Sequence, residues 1–339
     1  MTYRLGDTLV NQANGRRARL PKVIASSVIR SAHRGESHGG VYVVDLETRS
    51  HEQVIHWNDD SIDWQRRGGE RGLRGIAFYD DRVYLGANDA ILVYTSEFEL
   101  VESYRSKYLG LCHEIFISGD TLFLTSTGFD SVLEFDLVSK SFTRGYCLRY
   151  SPLQRYALHF RRRLPPWTRS LVPKLRIFDP NAEDGPLVGD TMHVNSVWFR
   201  DGVLYVGATC QASLLCIRNH ELFSYAKVPY KAHNVRPFEE GVLLNDTAAD
   251  RVAYLNGSGE VTESFPIKRY KEDELLMSGL PTDYARQAFG RGLCVTTDGL
   301  IIGGSSPATI SVYQFGSRAP LRTVNITMDV RNSIHGLEV

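Results

Sequence analysis

Four of the ten histidines in this 339-residue chain stand at or near the head of apolar runs: "HEIFIS" at His113, "HVNSVWF" at His193, "HNVRPF" at His233 and "IHGLEV" around His335. Neutral imidazole ligates first-row metals, and it exchanges a proton near neutral pH. If the four converge, they would hold a divalent ion such as iron, zinc or manganese. Taken singly, His113, His193 and His335 would act as catalytic acids or bases. The plainer reading keeps all four as polar groups bonded to water or backbone. Asn195 and Asn234 occupy the corresponding places in their runs and offer amide oxygens for calcium. The only carboxylates near them for such a site are Glu114, Glu338 and Glu36. Asn is equally a residue of strand starts and turns. Arg74 and Arg291 hold the same place in two further runs. A guanidinium there would anchor a carboxylate or phosphate through its planar donor pair, or else close a salt bridge with Glu36 or Asp130. The loop "SAHRGESHGG" adds His33 and His38 as substrate-binding candidates.

The elements that would position these residues repeat. "LRGIAFYDDRVYLGANDAILVY", "LCHEIFISGDTLFLTSTGFDSVLEFD", "VNSVWFRDGVLYVGATCQASLLCI", "HNVRPFEEGVLLNDTAADRVAYL" and "GRGLCVTTDGLIIGGSSPATISVY" share one frame: apolar run, tight turn, apolar run, small polar loop, apolar run. Turns such as Gly119-Asp120, Asp201-Gly202 and Asp298-Gly299 between alternating runs signal β-hairpins. The period of two excludes a helical solenoid, and four strands per unit of about forty residues is the pattern of a propeller blade. Equivalent positions Arg74, His113, Asn195, Asn234 and Arg291 are separated by 39, 82, 39 and 57 residues. The 82-residue interval leaves room for a seventh blade. Residues 149–191, however, lack alternation and carry prolines unsuited to central strands, so they read as an insertion.

"IHGLEV" matches "LRGIAF" and "GRGLCV", so the C-terminus supplies the innermost strand of a sixth unit. "KVIASSVIR", "GGVYVVDLET" and "HEQVIHW" near the N-terminus supply its other three. The expected fold is therefore all-β: one domain over 1–339, a six-bladed β-propeller whose terminal strands share one blade and so leave no open edge. Inner-strand starts line the mouth of a propeller's channel, which would gather the polar set there. On the same face the reading places two lids, a basic one at 149–191 and a helical one at 271–289. Side chains two apart on a strand share a face, so His193 and Asn195 are expected together, whereas only one of His233 and Asn234 would face the axis unless a bulge intervenes.

Composition limits the partners. The 39 basic and 39 acidic residues cancel, which argues against nucleic acid as a partner. No run reaches the roughly 18 apolar residues of a membrane span. Five cysteines without C-x-x-C spacing suggest a reduced, cytoplasmic protein rather than a disulfide or zinc scaffold. The segment 149–176 carries eight basic residues, no acid, and aromatic residues between them. That pattern suits weak peripheral contact with an acidic membrane surface, or a solvated rim helix.

"NSVWFRDGVLYVG" followed by "NDTAADRVAYL" resembles the sugar-lactonase, senescence-marker and strictosidine-synthase group of six-bladed propellers. That resemblance implies a divalent metal at the channel mouth and hydrolysis of lactones or esters, or amine–aldehyde condensation. Asn195 and Asn234 would match the group's asparagine ligands, whereas its carboxylate ligands have no clear counterpart, His113 and His335 standing among the marked residues instead. "HEI", "HVNSV" and "AHNVRP" are similar, in order, to the His-Asp-Ile, His-Leu-Asn-Gly and Pro-His-Ser-Pro-Arg blade motifs of an uncharacterised bacterial propeller family. Carotenoid-cleaving oxygenases share only the count of four histidines. The expectation is a small-molecule enzyme of hydrolase or lyase type, with a divalent metal among its options (iron, zinc, manganese or calcium) and a ligand bearing an anionic group. The alternative is a non-catalytic propeller that binds a ligand or a protein partner.

Overall fold

The computed structural model describes residues 19–58, 72–160, 174–282 and 285–339. Every expected repeat folds as an antiparallel sheet, because each alternating run can bury one face and its turn residues can adopt the tight hairpin geometry. At Asp201-Gly202, for example, both residues have positive φ (53° and 75°), the backbone that matches the twist of a two-residue hairpin.

The first three strands are β1 (Lys22–Ile29), β2 (Gly39–Asp45) and β3 (Ser50–His56). The next blade comprises β4 (Ile76–Tyr79), β5 (Arg82–Gly86), β6 (Ala90–Thr95) and β7 (Leu100–Arg105). It is followed by β8 (Ile115–Ser118), β9 (Thr121–Ser126), β10 (Ser131–Asp136) and β11 (Ser141–Cys147). After the helix α1 (Pro152–His159) and the short strand β12 (Arg176–Phe178) come β13 (Val194–Arg200), β14 (Val203–Ala208), β15 (Ser213–Arg218) and β16 (Glu221–Lys227). The last two repeats are β17 (His233–Phe238) to β20 (Val261–Pro266) and β21 (Leu293–Val295) to β24 (Arg322–Asn325). The chain finishes with β25 (Asn332–Glu338), which pairs antiparallel with β1, giving the order β25-β1-β2-β3. The fold is a six-bladed β-propeller in which both ends of the chain contribute to one blade.

Among the described residues the interval 149–191 holds no seventh blade. Its helix starts with a capping box at Ser151 and Gln154, and β12 adds a fifth strand outside β11. Most of the basic tract between these two elements, 161–173, lies outside the described residues. Where a helical lid was expected at 271–289, the described residues contain one 3-10 turn, Glu272–Glu274. The segment is held by Leu276, whose N–H donates to Met328 O and whose carbonyl accepts from Val330 N–H, and by packing of Leu275 and Ala285 on Val330.

The described chain packs as two compact units: Arg74–Arg236, and the residues before Arg74 together with those from Pro237 onward. In the first, Leu122, Leu124, Leu133 and Phe135 bury against Ile91, Val93, Cys112 and Ile115, and a second cluster joins Phe123 and Val132 to Val194, Val197 and Val206. In the other, Val23, Ala25, Tyr42 and Val44 pack with Ile302, Ile310, Val312 and Ile334.

Candidate active site

Within the unit Arg74–Arg236, the starts of three inner strands bring three histidines into edge contact. The His113 and His193 ring centroids are 5.2 Å apart, and those of His193 and His233 are 6.1 Å apart.

His113 is fixed by its backbone and by its ring. Thr125, fully buried on β9, accepts from the N–H groups of His113 and Glu114 (2.9 Å each) and donates to Glu114 O. Ring Nδ1 lies 2.7 Å from Leu111 O, an atom that can only accept, so Nδ1 carries the proton. It also reaches Thr127 Oγ1 at 2.9 Å, whose own hydroxyl donates to Val194 O. Nε2 of His113 is therefore the nitrogen with the lone pair. The guanidinium of Arg74 lies alongside, its Nη1 donating to Cys112 O (3.1 Å) and sitting 3.4 Å from His113 Nδ1. Two proton-bearing nitrogens do not bond, so Arg74 acts on this ring as a nearby positive charge. At 1% exposure Arg74 is built into the core.

His193 has the same tautomer for a different reason. Its Nδ1 donates to the Asp190 carboxylate at 3.0 and 3.2 Å, which again leaves the lone pair on Nε2. Asp130 anchors the loop carrying this pair. Fully buried, it accepts from Thr191 N, Thr191 Oγ1 (2.7 Å), Met192 N (2.8 Å) and Arg149 Nε (3.0 Å). Asp130 is thus the partner of Arg149, while Glu36 pairs with Arg331.

Alternation breaks down at the two remaining places. His193 precedes β13 with a left-handed φ of 50°, and the β13–β14 register shifts between Val194 and Ser196. The His193 ring meets His113, His233 and Asp190, while Thr209 Oγ1, which accepts from the Asn195 amide, donates to His193 O at 3.3 Å. Asn195, 2% exposed, donates to Thr209 Oγ1 and Ala232 O and accepts from Ser196 Oγ. Its amide links neighbouring strands. Asn234 also has φ of 50°, and this turn of the backbone lets consecutive residues reach one cluster. His233 meets His193, while Asn234 Nδ2 donates to Glu114 Oε1 (3.2 Å). The other Glu114 oxygen accepts from Val197 N–H (3.1 Å). Glu114 was legible only as a carboxylate near the two asparagines, and Asp190 only as an acid three residues before a histidine. Nothing in their spacing marks Thr125 and Thr127 as site residues.

The other sequence candidates belong to the second unit. His335 lies in β25 and is 6% exposed. Arg291 has its guanidinium carbon 4.7 Å from the Phe289 ring centre. His38 is fully buried, its backbone pinned to Ile29 and Trp57. His33 is exposed, and its N–H donates to Glu36 Oε2, a bond that holds the Glu36 carboxyl below its ordinary value. Among the described residues no three His, Cys, Asp or Glu side chains are gathered to hold a metal ion. Nδ1 of both His113 and His193 is committed to protein acceptors. Burial pushes the Cys112 thiol up to about 12, which removes it as a nucleophile near neutral pH.

No family model and no curated protein matches the chain. Among solved structures it is similar to a streptogramin B lyase, at 11% identity and a TM-score of 0.41 over 73% of this chain and 70% of that one. It is also similar to a virginiamycin B lyase from Staphylococcus aureus, at 10% identity and 0.40 over 74% of each. A third similar structure is the computationally designed Ika8 protein, at 9% identity and 0.47 over 93% of this chain and 91% of that one.

Proposed function

We propose that the chain is a small-molecule enzyme whose acid–base centre is His193, oriented by Asp190, with His113 beside it. The observation that carries this reading is the pair of touching imidazoles, 5.2 Å between centroids, each with Nδ1 committed to an acceptor. In such a pair one Nε2 takes a proton from the substrate. The same nitrogen, protonated by that step, then returns the proton to the leaving atom, as elimination or the hydrolysis of a lactone or ester requires, while the other Nε2 is a hydrogen-bond acceptor beside it. Asp190 stabilises the imidazolium formed on His193 and fixes its tautomer. Leu111 O and Thr127 orient His113 without adding charge, whereas Asp190 places a carboxylate on His193, so the surroundings of the two imidazoles are electrostatically unequal. On this reading His193 is the base, and His113 is the neighbour that positions the reacting group through its Nε2.

The test is a panel of lactones, esters and β-elimination substrates assayed with the wild type, His193→Ala and His113→Ala. Turnover lost in both variants, with melting temperature unchanged, supports the reading. Turnover equal to the wild type in either variant contradicts it. Elemental analysis of the same purified, untagged preparations addresses the metal-dependent alternative. About one equivalent of iron, zinc or manganese, lost in His193→Ala, would put metal ligation in place of proton transfer.

A further inference from the structure

Beyond the imidazoles on the same inner strands lies a buried cation that the acid–base reading does not use. Arg236, on β17, is 9% exposed. Its guanidinium carbon lies 4.9 Å from the centre of the Trp198 ring, and Trp198 in turn packs on Phe116 at 4.2 Å. Among the described residues no acceptor meets its Nε or its Nη2, and both atoms are buried. A charged group withdrawn from water without an acceptor is costly, and an indole face offsets only part of that cost. The two unmet atoms are also a matched pair. Nε–H and the adjacent Nη2–H form one edge of the guanidinium, two parallel donors at the spacing of the two oxygens of a carboxylate.

We propose that Arg236 anchors a carboxylate-bearing ligand through this edge, with the ligand's apolar portion beside Trp198 and Phe116. One guanidinium calls for one negative charge. A carboxylate supplies it, whereas a phosphate dianion exceeds it. Three residues separate His233 from Arg236, roughly 10 Å along a strand. On the reading of His193 and His113 as the reacting end, the substrate is an elongated monocarboxylic acid with its reactive centre several bonds from the carboxylate. The sequence-based anchor, Arg74, is instead engaged with Cys112 O inside the core.

The test uses the full chain with phenylacetate, its neutral isostere phenylacetamide and inorganic phosphate as probes, in titration calorimetry and thermal melting. The expected results are binding of phenylacetate, at least about tenfold weaker binding of the amide and of phosphate, and at least about a tenfold loss in Arg236→Met. Without any probe, Arg236→Met melts no lower than the wild type, because it removes a buried charge that no acceptor meets. Phenylacetate raises the melting temperature of the wild type and leaves the variant unmoved. Arg236→Lys keeps the charge and loses the paired edge, so it folds and binds phenylacetate more weakly. Equal binding by the wild type and Arg236→Met, or no binding by the wild type together with a lower melting temperature in the variant, overturns the proposal. His193→Ala separates this site from the acid–base centre. It is expected to bind phenylacetate as the wild type does, so binding that persists in a panel without turnover leaves the Arg236 site standing.

Discussion

At the residue scale, one carboxylate distinguishes the two imidazoles. His113 has a carbonyl and a hydroxyl on Nδ1, whereas His193 has Asp190. Only the second partner carries charge, so only His193 has a carboxylate facing the imidazolium formed on it during turnover. Asp190→Asn keeps the size of the side chain and an acceptor for the ring but removes the charge. It is expected to lower turnover by about a hundredfold or more with little change in stability, because Asp190 is about a third exposed. Kinetics and thermal melting of the same preparation check both halves. At this scale the sequence was only partly legible. His113, His193 and His233 stand out because histidine is rare at the head of an apolar run. Arg236 and Glu114 sit inside such runs in ordinary alternation, and only the strands beside them reveal their roles.

At the element scale, the site depends on how closely inner strands approach one another. A Cβ added at Gly75 would stand 2.5 Å from Ile115 N and 3.0 Å from Glu114 Cα. Gly75 thus lets the start of β4 lie against the backbone that carries His113 and Glu114. Gly75→Ala is expected to push these strands apart and cost about 1–3 kcal/mol, with loss of activity beyond what stability explains. Urea denaturation and turnover at a temperature where the variant is folded measure the two effects. The repeat made the strands readable, since each alternating run has one buried face and a recognisable turn. Left-handed residues at His193 and Asn234 turn the strand starts away from simple alternation. Period-two reasoning assumes an unbroken strand, and neither residue is a glycine that would have signalled the break. The lids were less legible because their patterns are local. The acidic stretch "KEDELL" suits a helix by composition yet forms a single 3-10 turn, with Leu276 held by backbone bonds to Met328 and Val330 instead.

At the scale of the whole molecule, burial sets the response to alkali. The Cys112 thiol is raised from 9.0 to about 12 by burial. The phenols of Tyr94, Tyr146 and Tyr313 are raised from 10.0 to about 12, burial again being the largest cause. In each case the fold favours the neutral form. These groups contribute fully below the unfolded values, and their contribution is lost as pH rises through the folded ones. Stability is therefore expected to be insensitive to these groups between pH 7 and about 9, then to fall steadily toward pH 12. Denaturant titrations at intervals of pH, followed by fluorescence, read the slope. Cys112→Ala should make the earliest part of the fall shallower. The global architecture was the most legible level of all, because the match of "IHGLEV" to other inner strands required the two chain ends to meet. That requirement is met by the pairing of β25 with β1.

The measurement that bears most directly on the central claim is long-range proton–nitrogen NMR of the imidazoles in the native protein, with His113→Ala and His193→Ala used for assignment. The account predicts that near neutral pH both residues carry a proton on Nδ1. Protonation of Nε2 with a bare Nδ1 on either ring at neutral pH would contradict it.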